Sequence, residues 1–419
     1  MNASAAKPLP ETKAERVGMS SDRLERITQM TQQYVDEGKL AGVITMVARD
    51  GKLVHFEAVG NKGADDPRPL EKDDLFRIYS MTKPITSIAL MQLYEQGKFL
   101  LEDPVEKFLP SYKNPVVLLG GSLFKPELRP AETVMTIRDL LTHTSGLTYG
   151  FHFQNNLDQM YRDKKLGGPL TGGEGRADAS LEEAIDIMGG LPLLFDPGTA
   201  WNYSMSTDVC GRLIEVIGDC KFDDYLEENI FSPLGMIDTG FLVPQDKIHR
   251  FTSTYILNES GALEVTDPAQ NSPYQKERLF LSGGGGLVST TDDYQRFVDM
   301  LSNEGAADGN QIIGRRTLEL MTMNHLPQGK LLNEVGRSTF SETALAGMGF
   351  GLGFSVLMDP AANAGLGTIG EFAWGGAAST RFWVDPVEKI SCIFMTQFMP
   401  SGYYPIRREL TTSVYQAIK

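Results

Sequence analysis

The spacing of apolar residues changes period along the chain, and the changes mark its parts. Near the start, Leu24, Ile27, Met30 and Tyr34 recur three and four apart, which predicts a helix over 22–37. Two β-branched runs follow, 42–48 and 53–59, joined by Arg49-Asp50-Gly51-Lys52. Asp-Gly between such runs reads as a tight hairpin, because both residues tolerate the left-handed backbone of a two-residue turn. His55 then falls on an exposed strand face. Ile85, Ile88, Ala89 and Leu93 return to helical spacing, with Gly97 as the stop. From about 98 to 240 the pattern is helical and loop-rich: a short helix capped by Thr136, a long surface loop over 148–178, and helices over 180–188, 207–217 and 222–230. Beyond 250, strands reappear over 285–289, 351–358, 381–384 and 389–395, with helices over 292–302, 316–323 and 406–418. Residues 1–20 read as a loosely held lead-in.

Strands at both ends with helices between them predict an α/β fold in which one sheet is built from both termini. The implied organisation is a discontinuous α/β domain, 1–88 with 241–419, and an inserted helical domain, 89–240.

Charge narrows the function classes. The 419 residues carry 39 basic and 54 acidic side chains, a formal charge of −15, so neither nucleic acid nor an anionic membrane is an expected partner. No apolar run approaches the length of a membrane span, and the polar first residues lack the apolar core of a signal peptide, so a cytoplasmic protein is expected. Three cysteines, Cys210, Cys220 and Cys392, are too few and odd in number for a disulfide framework. The histidines are isolated, and neither a metal nor a cofactor is implied.

The stretch with the densest chemistry is Ile78-Tyr79-Ser80-Met81-Thr82-Lys83-Pro84. Ser80 stands where the helix should begin, a favoured capping position, and Pro84 fits the first turn. Ser80 and Lys83 are three apart, so on a helix their side chains meet. A serine hydroxyl needs a base to become nucleophilic, and a buried lysine with a depressed pKa can be one. Pro197-Gly198-Thr199-Ala200-Trp201-Asn202-Tyr203-Ser204 delivers a tyrosine ahead of a helix, where it could relay protons if a nearby lysine lowers its pKa. Trp374-Gly375-Gly376-Ala377 offers a backbone edge that could approach a ligand closely and supply an oxyanion-binding N–H alongside that of Ser80. Gly283-Gly284-Gly285-Gly286 lacks a dinucleotide-binding context and reads as a flexible or closely packed loop. No Gly-x-Ser-x-Gly elbow occurs, and His143 reads as structural.

These three motifs, in this order, resemble the serine β-lactamase-like superfamily of class C β-lactamases, D-alanyl-D-alanine carboxypeptidases and family VIII carboxylesterases. Leu140-Leu141-Thr142-His143-Thr144-Ser145-Gly146-Leu147 and Gly284-Gly285-Gly286-Leu287-Val288-Ser289-Thr290 add to the likeness. The resemblance implies an antiparallel sheet flanked by helices, with a site built from Ser80 as nucleophile, Lys83 as proton acceptor and Tyr203 as proton shuttle. It implies an oxyanion hole from the N–H groups of Ser80 and Ala377, and substrate contacts from Trp374, Gly375, Gly376, Tyr149 and Met205. Two departures stand out: Trp374 replaces the cation usual in the third motif, and Met205 replaces an asparagine. Trp374-Gly375-Gly376 looks like the esterase branch, and loss of the cation and the amide weakens recognition of a substrate carboxylate and a peptide-like carbonyl. The implied function is a serine carboxylesterase that cleaves short acyl esters through an acyl-enzyme, with weak β-lactamase activity at most. The alternatives are an acyltransferase of the same fold, a β-lactamase or D-Ala-D-Ala carboxypeptidase, or a catalytically silent ligand binder.

Overall fold

In the computed structural model, which describes residues 9–167, 179–337 and 339–419, the chain is organised on an eight-stranded antiparallel sheet. Its order is Met348–Phe350, Ser355–Leu357, Phe372–Gly375, Arg381–Asp385, Ile390–Met395, Gly42–Arg49, Lys52–Gly63 and Asp66–Pro69. The N-terminal hairpin pairs directly with the last strand, Ile44 opposite Met395 and Val47 opposite Cys392. The sheet is therefore assembled from both ends of the chain. Asp50 and Gly51 both take positive φ, 51° and 66°, which matches the hairpin expected there.

Both faces of the sheet are covered, and the strand residues divide between them by the two-residue period. Val43, Val47, Cys392, Phe394 and Trp383 pack with the helices Ser21–Asp36 and Ile406–Tyr415. Ile44, Met46, Ile393, Met395 and Phe382 face the other core, which holds the Thr82–Glu95 helix and the helices after it. Burial on both sides explains why every residue of Ile390–Met395 is buried and why its Cys392–Met395 part reads as an unbroken apolar run rather than an alternation.

Several sequence expectations need correction. Residues 9–20 are anchored: Glu11 bridges to Leu53, Met19 bridges to Ile418, and Ala14, Val17 and Met19 are buried. Residues 1–8 lie outside the described residues. The loop expected over 148–178 contains the Asn156–Asp163 helix, capped by the Asn155 side chain, and its portion 168–178 lies outside the described residues. His55 is half-buried, its Nε2 2.8 Å from the Thr45 hydroxyl. The strand expected over 285–289 shrinks to Val288–Ser289, and that over 351–358 is a hairpin of Met348–Phe350 with Ser355–Leu357. Two further hairpins, Val116–Ser122 with Lys125–Pro130 and Thr254–Leu257 with Leu263–Asp267, went unread because their strands do not alternate cleanly. No helix among the described residues is long and apolar enough to cross a membrane.

The approach to Ser80 is fixed by a buried ion pair. Arg77 is fully buried in the short strand Phe76–Arg77, where its Nε meets Asp267 at 2.6 Å. Its other nitrogens donate to the Thr252 carbonyl and the Ser272 hydroxyl, and its guanidinium lies 4.0 Å from the Phe251 ring centroid. Removing one member of such a pair strands the other in an apolar setting. Arg77→Met is expected to lower stability by about 3–5 kcal/mol, read as a drop in the urea midpoint. A midpoint unchanged from wild type would show that Asp267 is satisfied without it.

Candidate active site

Ser80 is held by a change of backbone regime. Phe76–Arg77 pairs with Val288–Ser289, and the Ile78 amide donates to the Leu287 carbonyl. Tyr79 then takes a positive φ of 43°, uncommon for a non-glycine residue and costly unless its surroundings enforce it. A 3-10 turn over Tyr79–Met81 leads into the Thr82–Glu95 helix. Ser80 thus precedes the α-helix and caps nothing with its side chain, contrary to the capping role expected from the sequence. Its hydroxyl is free to meet other partners. The helix is buried on all sides from Thr82 to Leu93 rather than along one stripe, because it runs through the middle of the larger core.

Two side chains converge on the Ser80 hydroxyl. Lys83 Nζ lies 3.2 Å from Oγ, and the Tyr203 hydroxyl donates to Oγ at 2.6 Å. Lys83 is 2 % exposed, and its Nζ also donates to the Gly284 carbonyl at 2.6 Å. Its Nζ sits 4.6 Å from the Tyr203 ring centroid and 5.4 Å from that of Tyr149. Burial pulls the Lys83 pKa down to about 8, although the charges of Asp208 and Glu342 work against it. Near that pH the amine is neutral in a large fraction of molecules. A neutral amine in this place could keep an N–H for Gly284 and offer its lone pair to the serine.

Tyr203 behaves differently from the sequence expectation. Its pKa is raised well above the ordinary value by burial and by the Glu342 charge, which outweigh its hydrogen bond to Ser80. It remains a phenol and can only donate its proton and take one back. Its backbone is pinned from behind: its carbonyl lies 2.7 Å from His152 Nε2, and the Asn202 amide donates to the His143 carbonyl. His143 stands edge-on to Trp201, Tyr203 and Phe350, and its Nδ1 lies 3.2 Å from the Ser204 hydroxyl. It has a structural place and faces the back of the tyrosine. His152 was missed in the sequence because a lone histidine in a glycine-rich segment carries no pattern.

The third motif is a strand, Phe372–Gly375, followed by a tight turn. Its glycines permit close approach: an added Cβ on Gly376 would lie 2.4 Å from the Ile78 carbonyl oxygen, and one on Gly375 would meet the Arg407 guanidinium. Ala377 consequently packs beside Tyr79, next to Ser80 in sequence. Ala377 is held by a bond from the Ser401 amide to its carbonyl. Arg407 clamps this turn, donating to the carbonyls of Gly376, Ser379 and Thr380, and its charge is met by the buried Glu342 at 2.9 Å. No pattern in the sequence links Glu342 to Arg407.

Trp374 is 1 % exposed and stands edge-on to Tyr203 and Phe350, its Nε1 without a hydrogen-bond partner. Tyr149 stacks on Phe151 at 4.4 Å, and Phe340 lies against Phe151 and Tyr203, so the ground around the tyrosine is aromatic. Met205 is buried, with its amide bonded to the Thr148 carbonyl and its sulfur close to Gly167. The four-glycine run is closely packed: a Cβ on Gly283 would lie 2.7 Å from the Thr207 carbonyl oxygen, and one on Gly284 would lie 2.6 Å from Asp208.

A two-faced antiparallel sheet with a serine, lysine and tyrosine meeting at the start of a buried helix defines the β-lactamase/transpeptidase-like class of fold. The chain belongs to the beta-lactamase family, whose family model matches residues 27–416. Protein Rv1367c of Mycobacterium tuberculosis is 34 % identical over 376 residues, covering 88 % of each chain. Esterase EstB of Burkholderia gladioli is 28 % identical over 407 residues, covering 93 % of this chain and 94 % of that one. Among solved structures, EstCE1, "a hydrolase with promiscuous acyltransferase activity", superposes with a TM-score of 0.78 at 25 % identity, covering 94 % of this chain and 99 % of that chain. The similar proteins thus include an esterase and a hydrolase with promiscuous acyltransferase activity.

The lysine sets a pH dependence. A lysine acting as the base for Ser80 must first lose its own proton, so in that role reactivity should rise with pH and level off above the Lys83 pKa. Labelling of Ser80 by a fluorophosphonate is expected to be half-maximal near pH 8, followed by mass spectrometry of the modified peptide. A rate highest in mild acid would exclude Lys83 as the base.

Proposed function

We propose that this protein is a serine carboxylesterase that hydrolyses short, uncharged acyl esters through a covalent intermediate on Ser80. The observation that carries the reading is the serine hydroxyl held between a buried lysine amine and a protonated tyrosine. In the first half-reaction Ser80 Oγ attacks the ester carbonyl carbon while its proton passes to Lys83. The carbonyl oxygen becomes an oxyanion, received by the backbone N–H groups of Ser80 and Ala377. The C–O bond to the alcohol then breaks, and the Tyr203 hydroxyl protonates the leaving oxygen as Lys83 returns the proton to Tyr203. In the second half-reaction water attacks the acyl carbon, gives its proton through the same pair, and releases the acid and Ser80.

Selectivity follows from charge. Trp374 stands where many relatives of this superfamily carry a cation, and Arg407 beside it is paired with Glu342. A substrate carboxylate therefore gains no charge-assisted contact there. Binding comes instead from apolar contact with aromatic walls, at ~0.8 kcal/mol per buried CH₂. Gly375, Gly376, Tyr149 and Met205 complete the substrate side in this reading. Transfer of the acyl group to an alcohol in place of water is the second reading, favoured by the aromatic surroundings of Tyr203 and by similarity to EstCE1. It shares the first half-reaction.

The test compares kcat/KM for aryl butyrate, a chromogenic cephalosporin and a D-Ala-D-Ala peptide, with and without added alcohol. Aryl butyrate should be strongly preferred, and Ser80→Ala should lose at least about 10³-fold in turnover while remaining folded. Preference for the cephalosporin or the peptide would overturn the esterase reading. Ester product in place of acid, at modest alcohol concentration, would favour transfer.

A further inference from the structure

A buried carboxylate reaches the same centre through the backbone. Asp208 lies in the first turn of the Ser206–Gly218 helix and is 1 % exposed. Its Oδ1 accepts from the Ser282 hydroxyl at 2.6 Å and from the Gly284 amide at 3.1 Å. The carbonyl of that same Gly284 accepts from Lys83 Nζ at 2.6 Å. Asp208 and Lys83 therefore hold opposite ends of one residue. The Thr86 hydroxyl, one turn along the serine helix, donates to the Gly283 carbonyl at 2.8 Å, so the turn is tied to both helices. Only glycine fits between them, since a Cβ on Gly284 would meet both the Asp208 carboxylate and the Tyr149 hydroxyl.

We propose that Asp208 is a positioning residue for acyl transfer at Ser80, fixing the Gly283–Gly284 turn so that its carbonyl aims the Lys83 amine at the serine, and setting a negative charge behind that amine. The proposal rests on the reading of Ser80 as nucleophile.

The geometry needs such a residue. A lysine side chain has many rotamers, and one carbonyl acceptor selects among them only if that carbonyl is itself immobile. With Gly284 pinned at its amide, the Lys83 N–H is committed to the carbonyl, which leaves the lone pair for Ser80. The charge has a second effect. Lys83, Tyr149, Tyr203, Tyr112 and Cys210 all feel Asp208, and of these only Lys83 is cationic. Burial pushes the Asp208 carboxyl up, while the Lys83 charge, the Ser282 hydroxyl and the Gly284 amide pull it back. In return, the carboxylate raises the Lys83 pKa against the loss caused by burial. The basicity of the amine is thus held high enough to accept a proton.

Two variants separate aim from charge. Asp208→Asn keeps an acceptor oxygen of the same shape and removes the charge, whereas Asp208→Ala removes both. Fluorophosphonate labelling of Ser80 is followed from about pH 6 to pH 10, bracketing the fall of Lys83 below its ordinary value. Both variants should move the labelling midpoint to lower pH by about one unit from the wild type. The plateau rate should stay within about tenfold in Asp208→Asn and fall about a hundredfold in Asp208→Ala. A merely structural aspartate would change the urea midpoint and leave the pH midpoint in place. A folded Asp208→Asn protein with an unmoved midpoint overturns this proposal alone. A wild-type protein that is never labelled at Ser80 overturns the nucleophile reading and this one with it.

Discussion

Keeping an amine out of water is the constraint on which the centre of this protein depends. Lys83 sits inside the larger core, and a charged ammonium there pays a desolvation cost that favours losing its proton. Total burial without compensation would make the amine useless as a base. The surroundings strike a balance: the Gly284 carbonyl takes its N–H, aromatic rings of Tyr203 and Tyr149 face it, and Asp208 and Glu342 supply distant negative charge. The same low-dielectric setting acts in the opposite direction on Tyr203, which it holds in the protonated form. One environment thus pushes an amine and a phenol apart in charge habit, an amine that loses its proton more readily beside a phenol that keeps its own, with the serine hydroxyl between them.

The other side of the serine is governed by close backbone approach. Gly376 abuts the Ile78 carbonyl, and Arg407 holds the following turn by its carbonyls while Glu342 balances its charge. An arginine suits this because its planar fork can bond several acceptors at once. The Arg407 charge is met by Glu342, and the ground around Tyr203 is aromatic. In the proposed reaction, rigidity here matters for the same reason as at Lys83: donors that stabilise a developing oxyanion must already be in place.

Much of this was legible along the chain. The hairpin at Asp50-Gly51, the helices near both termini, and the last two strands follow from periodicity and turn chemistry, because each depends on neighbours a few residues away. The serine and lysine are legible as a pair because three residues on a helix bring side chains together. Tyr203 was legible from its Pro-Gly approach and its place in the order of motifs. The short hairpins at Val116–Pro130 and Thr254–Asp267 were not, since neither alternates and each is stabilised by packing across the chain.

What the sequence determined by itself was the local chemistry: which residues form helices, where turns fall, and that a serine has a lysine within reach. What only the tertiary structure decided was the charge state and the aim of those groups. Ser80 was read as a helix cap, but a left-handed Tyr79 and a 3-10 turn release its hydroxyl for Tyr203, 123 residues away. The tyrosine was expected to ionise more easily beside a lysine, yet burial from every direction overrides one neighbouring charge. Asp208, Glu342 and Arg407 gave no signal, and Gly284 showed only as part of a glycine-rich loop, because their partners lie far off in sequence. Desolvation and long-range hydrogen bonds are sums over everything that packs around a group, and that sum exists only once the chain is folded.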